Sequence, residues 1–171
     1  MASVFISYKR EDHVRVEALA GFLRDLGVKD VWTDASLNGG DDWHDVVVAK
    51  ATGAACVLVC WSYACATSPW VLEEMEIGRR RGVLMLVKFD HSPLPEQVVH
   101  LHAPDLSLWP ISGSETGIRQ LADGVGKLIG QPVGSWLEER SEGTNPAAVN
   151  KLRSLLVARA RNREPPISYE I

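Results

Sequence analysis

Two short stretches of this 171-residue chain carry side chains whose types and spacing could do chemistry. The first is Ser68-Pro69-Trp70-Val71-Leu72-Glu73-Glu74, which follows an apolar run. Ser68 suits a helix N-cap and Pro69 the first helical position, so a helix opening here sets Trp70 and Glu74 one turn apart on one face. At about 100° per residue, Val71, Met75 and Gly78 pack inward, Glu73 points nearly opposite into water, and Glu74 and Glu76 flank the packing face on opposite edges. Glu74 shares its edge with Trp70, which offers a carboxylate beside an aromatic plate to a cleft at the end of a sheet. Substitution of Glu73 is expected to matter little. The plainer alternatives are a core tryptophan at 70 and a surface ion pair from Glu74 to Arg81 or Lys9. The second stretch is Ser7-Tyr8-Lys9-Arg10, where hydroxyls and cations end a short apolar run just before a helix start, a setting that can hold a diphosphate. A solvated basic turn is the alternative reading there.

The elements that must position these groups alternate along the chain. Residues 3–7 form an apolar run, and 11–27 carry Val14, Ala18, Leu19, Phe22, Leu23 and Leu26 at helical spacing, with Gly27 as a natural stop. Residues 28–33 read as a second strand and 43–52 as a helix. Between them lies a polar segment over 34–42 containing Gly39-Gly40, long for a connector and able to close over a ligand. Ala54 to Trp61 is almost continuously apolar, as expected of a central strand covered on both faces. A helix over 68–81, a strand over 83–89, a short edge strand over 106–109 and a helix over 114–129 complete the pattern. This alternation predicts a doubly wound α/β fold with a five-stranded parallel sheet, helices on both faces, and a ligand site beyond the carboxyl ends of the strands. After Gly130 the pattern lapses into a linker, followed by one amphipathic helix over 145–162, so residues 1–130 read as one domain and 131–171 as linker and helical tail.

Composition narrows the function classes. A formal charge of −4 lacks the basic excess that phosphate-backbone binding needs, so nucleic acid is disfavoured. No apolar run has membrane-spanning length, and the start does not read as a signal segment, which gives a cytoplasmic expectation with no membrane partner. Cys56, Cys60 and Cys65 cluster in or after one apolar strand and read as reduced core thiols. His100 and His102 lack a third ligand, so no metal site is expected. The 34–42 segment lacks the Lys-Ser/Thr ending of a P-loop, and no G-x-G-x-x-G follows a strand. Trp32 and Trp43 either pack between helix and sheet or offer a stacking surface for a base, with packing favoured for Trp43.

Phe5-Ile6-Ser7-Tyr8, Val31-Trp32-Thr33-Asp34 ahead of the glycine segment, and the run Ser62 to Glu74 together resemble the Toll/interleukin-1 receptor (TIR) domain family in its bacterial form. The Ser-x-Trp-x-x-x-Glu element is the most specific part of the resemblance, which covers about residues 1–130. It implies a flavodoxin-like TIR fold and an NAD+ nucleosidase: cleavage of the nicotinamide-ribose bond to give nicotinamide and ADP-ribose or a cyclic isomer. NAD+ is the substrate, and no cofactor is implied. Glu74 matches the family's catalytic glutamate and Trp70 its pocket aromatic, while Ser7, Tyr8, Arg10, Trp32 and Asp34 fall where substrate would bind. Leu37, Asn38, Gly39 and Gly40 fall in the loop through which such domains assemble. The resemblance further implies self-association into an oligomer or filament, a role in anti-phage defence, and a possible activating partner acting through the tail. Cys60 and Trp61 depart from the family pattern and are expected to narrow the pocket or alter the product.

Two other readings compete. The same fold could serve as a non-enzymatic adaptor, although an adaptor has no need of Glu74. A phospho-acceptor receiver would need paired acids after the first strand and an Asp after the third, where this chain has Ser7-Tyr8-Lys9 and Cys60-Trp61.

Overall fold

The computed structural model describes residues 4–33, 43–110 and 115–134, together with position 154. The predicted segment over 34–42 and the tail helix over 145–162 lie outside the described residues. Among the described residues, β1 (Val4–Ser7), β2 (Val31–Trp32), β3 (Cys56–Trp61) and β4 (Leu84–Lys88) form one parallel sheet in the order β2-β1-β3-β4. The interleaved helices are α1 (His13–Asp25), α2 (Trp43–Gly53), α3 (Pro69–Arg81) and α4 (Glu115–Ile129). The architecture is the mixed α/β fold that the alternating pattern predicts.

Alternation along the strands divides the interior into two layers. Val4 and Ile6 of β1, with Cys56, Leu58 and Cys60 of β3, join α1 and α4 through Val16, Leu19, Phe22, Ile118 and Leu121. Phe5 of β1, with Val57, Val59 and Trp61 of β3, joins α2 and α3 through Val47, Ala51, Val71 and Met75. Every residue of β3 is buried, the physical reason for its unbroken apolar sequence. The chain leaves β1 for β2 on one side and returns to β3 on the other. The crevice beyond the carboxyl ends of β1 and β3 is therefore the topological switch point where such sheets bind ligands.

The boundaries of α3 follow local chemistry. Ser68 Oγ accepts from the Val71 N–H at 3.5 Å, Pro69 takes the first turn, and Gly82 ends the helix at φ 69°. Gly78 lets the helix lie close on β3: a Cβ there would come 2.8 Å from Val57 Cβ, an atom fixed by the strand backbone.

The structure shortens two expected elements and removes a third. The first turn of the 11–27 helix is a 3-10 turn at Arg10–Asp12, and the 28–33 strand is reduced to two residues. The predicted fifth strand over 106–109 is absent; in its place a single parallel bridge joins Lys88 to Asp105, followed by a turn in which the Trp109 N–H donates to Leu106 O at 2.9 Å. Arg15 of α1 accounts for the difference. Its guanidinium donates to the carbonyls of Phe89, Leu106, Ser107 and Trp109 at 2.8–3.0 Å and lies 4.1 Å from the Phe89 ring centroid. The Trp109 indole N–H donates back to Arg15 O at 3.2 Å. The carbonyls of Phe89, Leu106, Ser107 and Trp109 are thereby directed to α1.

Two stability outcomes are expected in urea denaturation. Gly78→Ala should destabilise, because overpacking against Val57 costs about 1–3 kcal/mol and outweighs the helix-propensity gain of up to about 1 kcal/mol. Arg15→Ala should cost about 2–4 kcal/mol by orphaning buried carbonyls, and Arg15→Lys should recover only part of it, since an ammonium cannot reproduce the fork.

Candidate functional site

Helix α3 carries the charged groups on two different edges. On the edge turned toward α2, Trp70 is 45% exposed, Glu74 is 8% exposed, and Arg81 Nη1 donates to Ala51 O at 3.0 Å and Ala54 O at 2.9 Å. On the other edge Glu76 accepts from Arg79 and Arg80 at 2.6–2.8 Å, and those hydrogen bonds hold its carboxyl down to about 2. That second edge lines a cavity of about 680 Å³ together with Trp61, Leu72, Met75 and the Pro93–Pro95 stretch. Two carboxylates two residues apart thus serve different surfaces.

Around the first edge the structure gathers aromatic rings. Trp70 meets Trp43 edge-on at 5.5 Å and His44 at 4.8 Å between centroids, both from the first turn of α2. Trp32, at the end of β2, stacks on Phe5 of β1 at 5.1 Å and 14° on the same side of the sheet. By strand alternation Ser7 shares that face with Phe5. Its hydroxyl is buried and, among the described residues, has no hydrogen-bond partner. Across the switch point, Ser62 donates to Asp12 at 2.5 Å and ties the end of β3 to the start of α1.

The TIR domain family matches residues 4–122. The chain belongs to the TIR domain family. Among solved structures, the TIR domain of the Toll-related receptor TRR-2 from Hydra magnipapillata has a similar fold. The TM-score is 0.60 at 14% identity, covering 73% of this chain and 98% of that one. No curated protein matches the sequence.

Within this TIR domain the residues singled out from sequence separate into groups. Ser7, Trp32, Trp70 and Glu74 lie on the α2/α3 side of the sheet or at its rim. Tyr8 does not: it turns to the α1 side, where its hydroxyl meets His13 Nδ1 at 3.2 Å. Arg10 is exposed in the 3-10 turn, with Glu11 and Asp12 beside it, so the α1 entrance is of mixed charge rather than purely basic. Asp34, Leu37, Asn38, Gly39 and Gly40 lie outside the described residues. Trp61 does not narrow the Glu74 edge. It is buried toward the other edge of α3, and its indole N–H donates to Pro93 O at 3.0 Å. Cys60 faces the α1/α4 layer.

Sequence reasoning missed His44. Its Nε2 donates to Glu73 Oε2 at 2.8 Å, giving that exposed carboxylate a partner on another helix. Nothing in a single sequence pairs positions 44 and 73. The aromatic neighbour Trp43, one residue before His44 at the opening of α2, was the available hint. No described helix is long and apolar enough to cross a membrane.

The three thiols are buried, and burial pushes Cys56 up to about 12, Cys60 well above the ordinary thiol range and Cys65 above it. A thiol whose folded value is raised keeps its contribution below the ordinary value of 9.0, and stability falls as pH rises from there toward 12. At pH 8 the native protein should therefore resist a chromogenic disulfide reagent at all three thiols, and urea should release three equivalents. Rapid labelling of a native cysteine would contradict the burial.

Proposed function

We propose that this TIR domain cleaves NAD+ at the nicotinamide-ribose bond. The observation that carries the reading is a nearly buried carboxylate, Glu74, one helical turn from a half-exposed Trp70 on the α3 edge that faces α2. That edge packs toward the sheet face bearing Ser7, whose hydroxyl lacks a partner among the described residues.

The chemistry asks for little machinery. The C1′–N bond breaks with its electron pair leaving on nicotinamide, which departs neutral and needs no general acid. Positive charge develops on the ribose as an oxocarbenium-like centre. Glu74 opposes that charge, and its burial strengthens the effect because little water screens it. Trp70 offers a surface against which a flat ring is held. Ser7 supplies a hydroxyl to the sugar, Trp32 walls the far side, and Arg10 with Lys9 meets the diphosphate. Tyr8 takes a supporting place through His13 rather than a direct one. Water capturing C1′, with loss of a proton to solvent, gives ADP-ribose, and capture by the adenine ring gives a cyclic isomer. NAD+ is the substrate, and the reading includes no cofactor. Asp34, Leu37, Asn38, Gly39 and Gly40 complete and assemble the site when domains self-associate. Such a domain would act as a cytoplasmic effector of anti-phage defence, with an activating partner acting through residues 131–171.

Concentrated protein incubated with NAD+, with and without a crowding agent, should release nicotinamide by chromatography. Glu74→Ala should be at least about a hundredfold slower, the loss typical of removing a group that stabilises transition-state charge, while keeping its circular dichroism spectrum. Equal turnover by the variant would overturn the role of Glu74. No release by the parent under any condition would leave the adaptor function as the reading.

A further inference from the structure

Helices α2 and α3 meet at their first turns through a polar contact that the reaction above does not use. His44 Nε2 donates to Glu73 Oε2 at 2.8 Å, and the same imidazole lies 4.8 Å from the Trp70 ring, tilted by 60°. Trp43 closes the other approach to Trp70 at 5.5 Å and 82°. Glu73 sits three residues from Trp70 on α3, so one side chain reaches across from α2, fixes its ring by a hydrogen bond to α3, and uses that ring to limit the positions open to the indole. Asp45 Oδ1, 3.8 Å from His44 Nδ1, is the other carboxylate beside the imidazole. Its side chain is 91% exposed, against 38% for His44 and 45% for Glu73, so the Glu73 contact is the geometrically defined one.

We propose that His44 and Glu73 are positioning residues: a clasp between α2 and α3 that holds Trp70 in the orientation that receives the flat ring of the substrate. The inference rests on the reading of this edge as an NAD+ site, and it deepens that reading by assigning affinity and chemistry to different residues. Glu74 acts on the charge that develops during bond breaking. The clasp acts on Trp70, a surface used equally before and during that step, so losing it weakens uniform binding and raises KM while kcat is largely retained. Both partners are partly exposed, which limits the effect to a modest one.

Steady-state NAD+ cleavage and the Trp70 indole N–H resonance, assigned by its loss in Trp70→Phe, test this together. His44→Ala and Glu73→Ala should each raise KM about three- to tenfold with kcat changed less than about twofold, and the double variant should be no worse than either single one. Glu73→Gln, which keeps an acceptor oxygen for His44, should stay near the parent. The indole resonance should move in both alanine variants and remain in place in Glu73→Gln. A generally loosened fold would instead lower kcat with the thermal midpoint and would not spare Glu73→Gln. Unchanged KM and an unmoved indole resonance in an active protein would overturn the clasp. A moved resonance in a protein that never releases nicotinamide would keep the clasp as a conformational device and remove the NAD+ reading beneath it.

Discussion

The close seating of α3 on β3 is the constraint on which the rest of this structure depends. Gly78 leaves no room for even a methyl group above Val57, and Val71 and Met75 complete the same inward face. Once that face is fixed, helical geometry alone distributes the remaining side chains. Trp70, Glu74 and Arg81 turn toward α2, whereas Leu72, Glu76 and Arg79 turn toward the stretch that follows β4. A shift in the seating of α3 would move both surfaces at once.

The sheet supplies the other half of the site by a similar economy. Ser7 ends β1 on the face already committed to α2 and α3, and Tyr8, one residue later, has to face α1. The pair looks like one polar cluster in the sequence, yet strand alternation sends its members to opposite layers. Arg15 plays a comparable part on the far side. By collecting four carbonyls it folds the chain after β4 into a turn packed on α1, away from the strand ends where Trp70 and Glu74 stand.

How much of this was legible follows from how local each determinant is. The unbroken apolar run of β3, the Ser68-Pro69 start and Gly82 stop of α3, and the placing of Glu74 and Glu76 on opposite edges are properties of a few consecutive residues, and the structure agrees with each. Leu106 to Trp109 has strand-like composition, yet its carbonyls are engaged by an arginine some ninety residues earlier, which no local pattern announces. The pairing of His44 with Glu73 was invisible for the same reason: it exists only because two helices that are separate in sequence begin side by side. Trp61 read as a pocket-lining departure because its position at the strand end was clear, but its choice of edge depends on Pro93, which no local pattern connects to it.

On this reading the α2-facing edge of α3, and not the groove on its other edge, receives NAD+. A crystal structure of Glu74→Gln protein soaked with NAD+, a variant that keeps the side chain's shape while removing its charge, tests this most directly. The nicotinamide riboside should lie against Trp70, with its ribose hydroxyls near position 74 and Ser7. Ligand density confined to the cavity bounded by Trp61, Glu76 and Arg79 would contradict it.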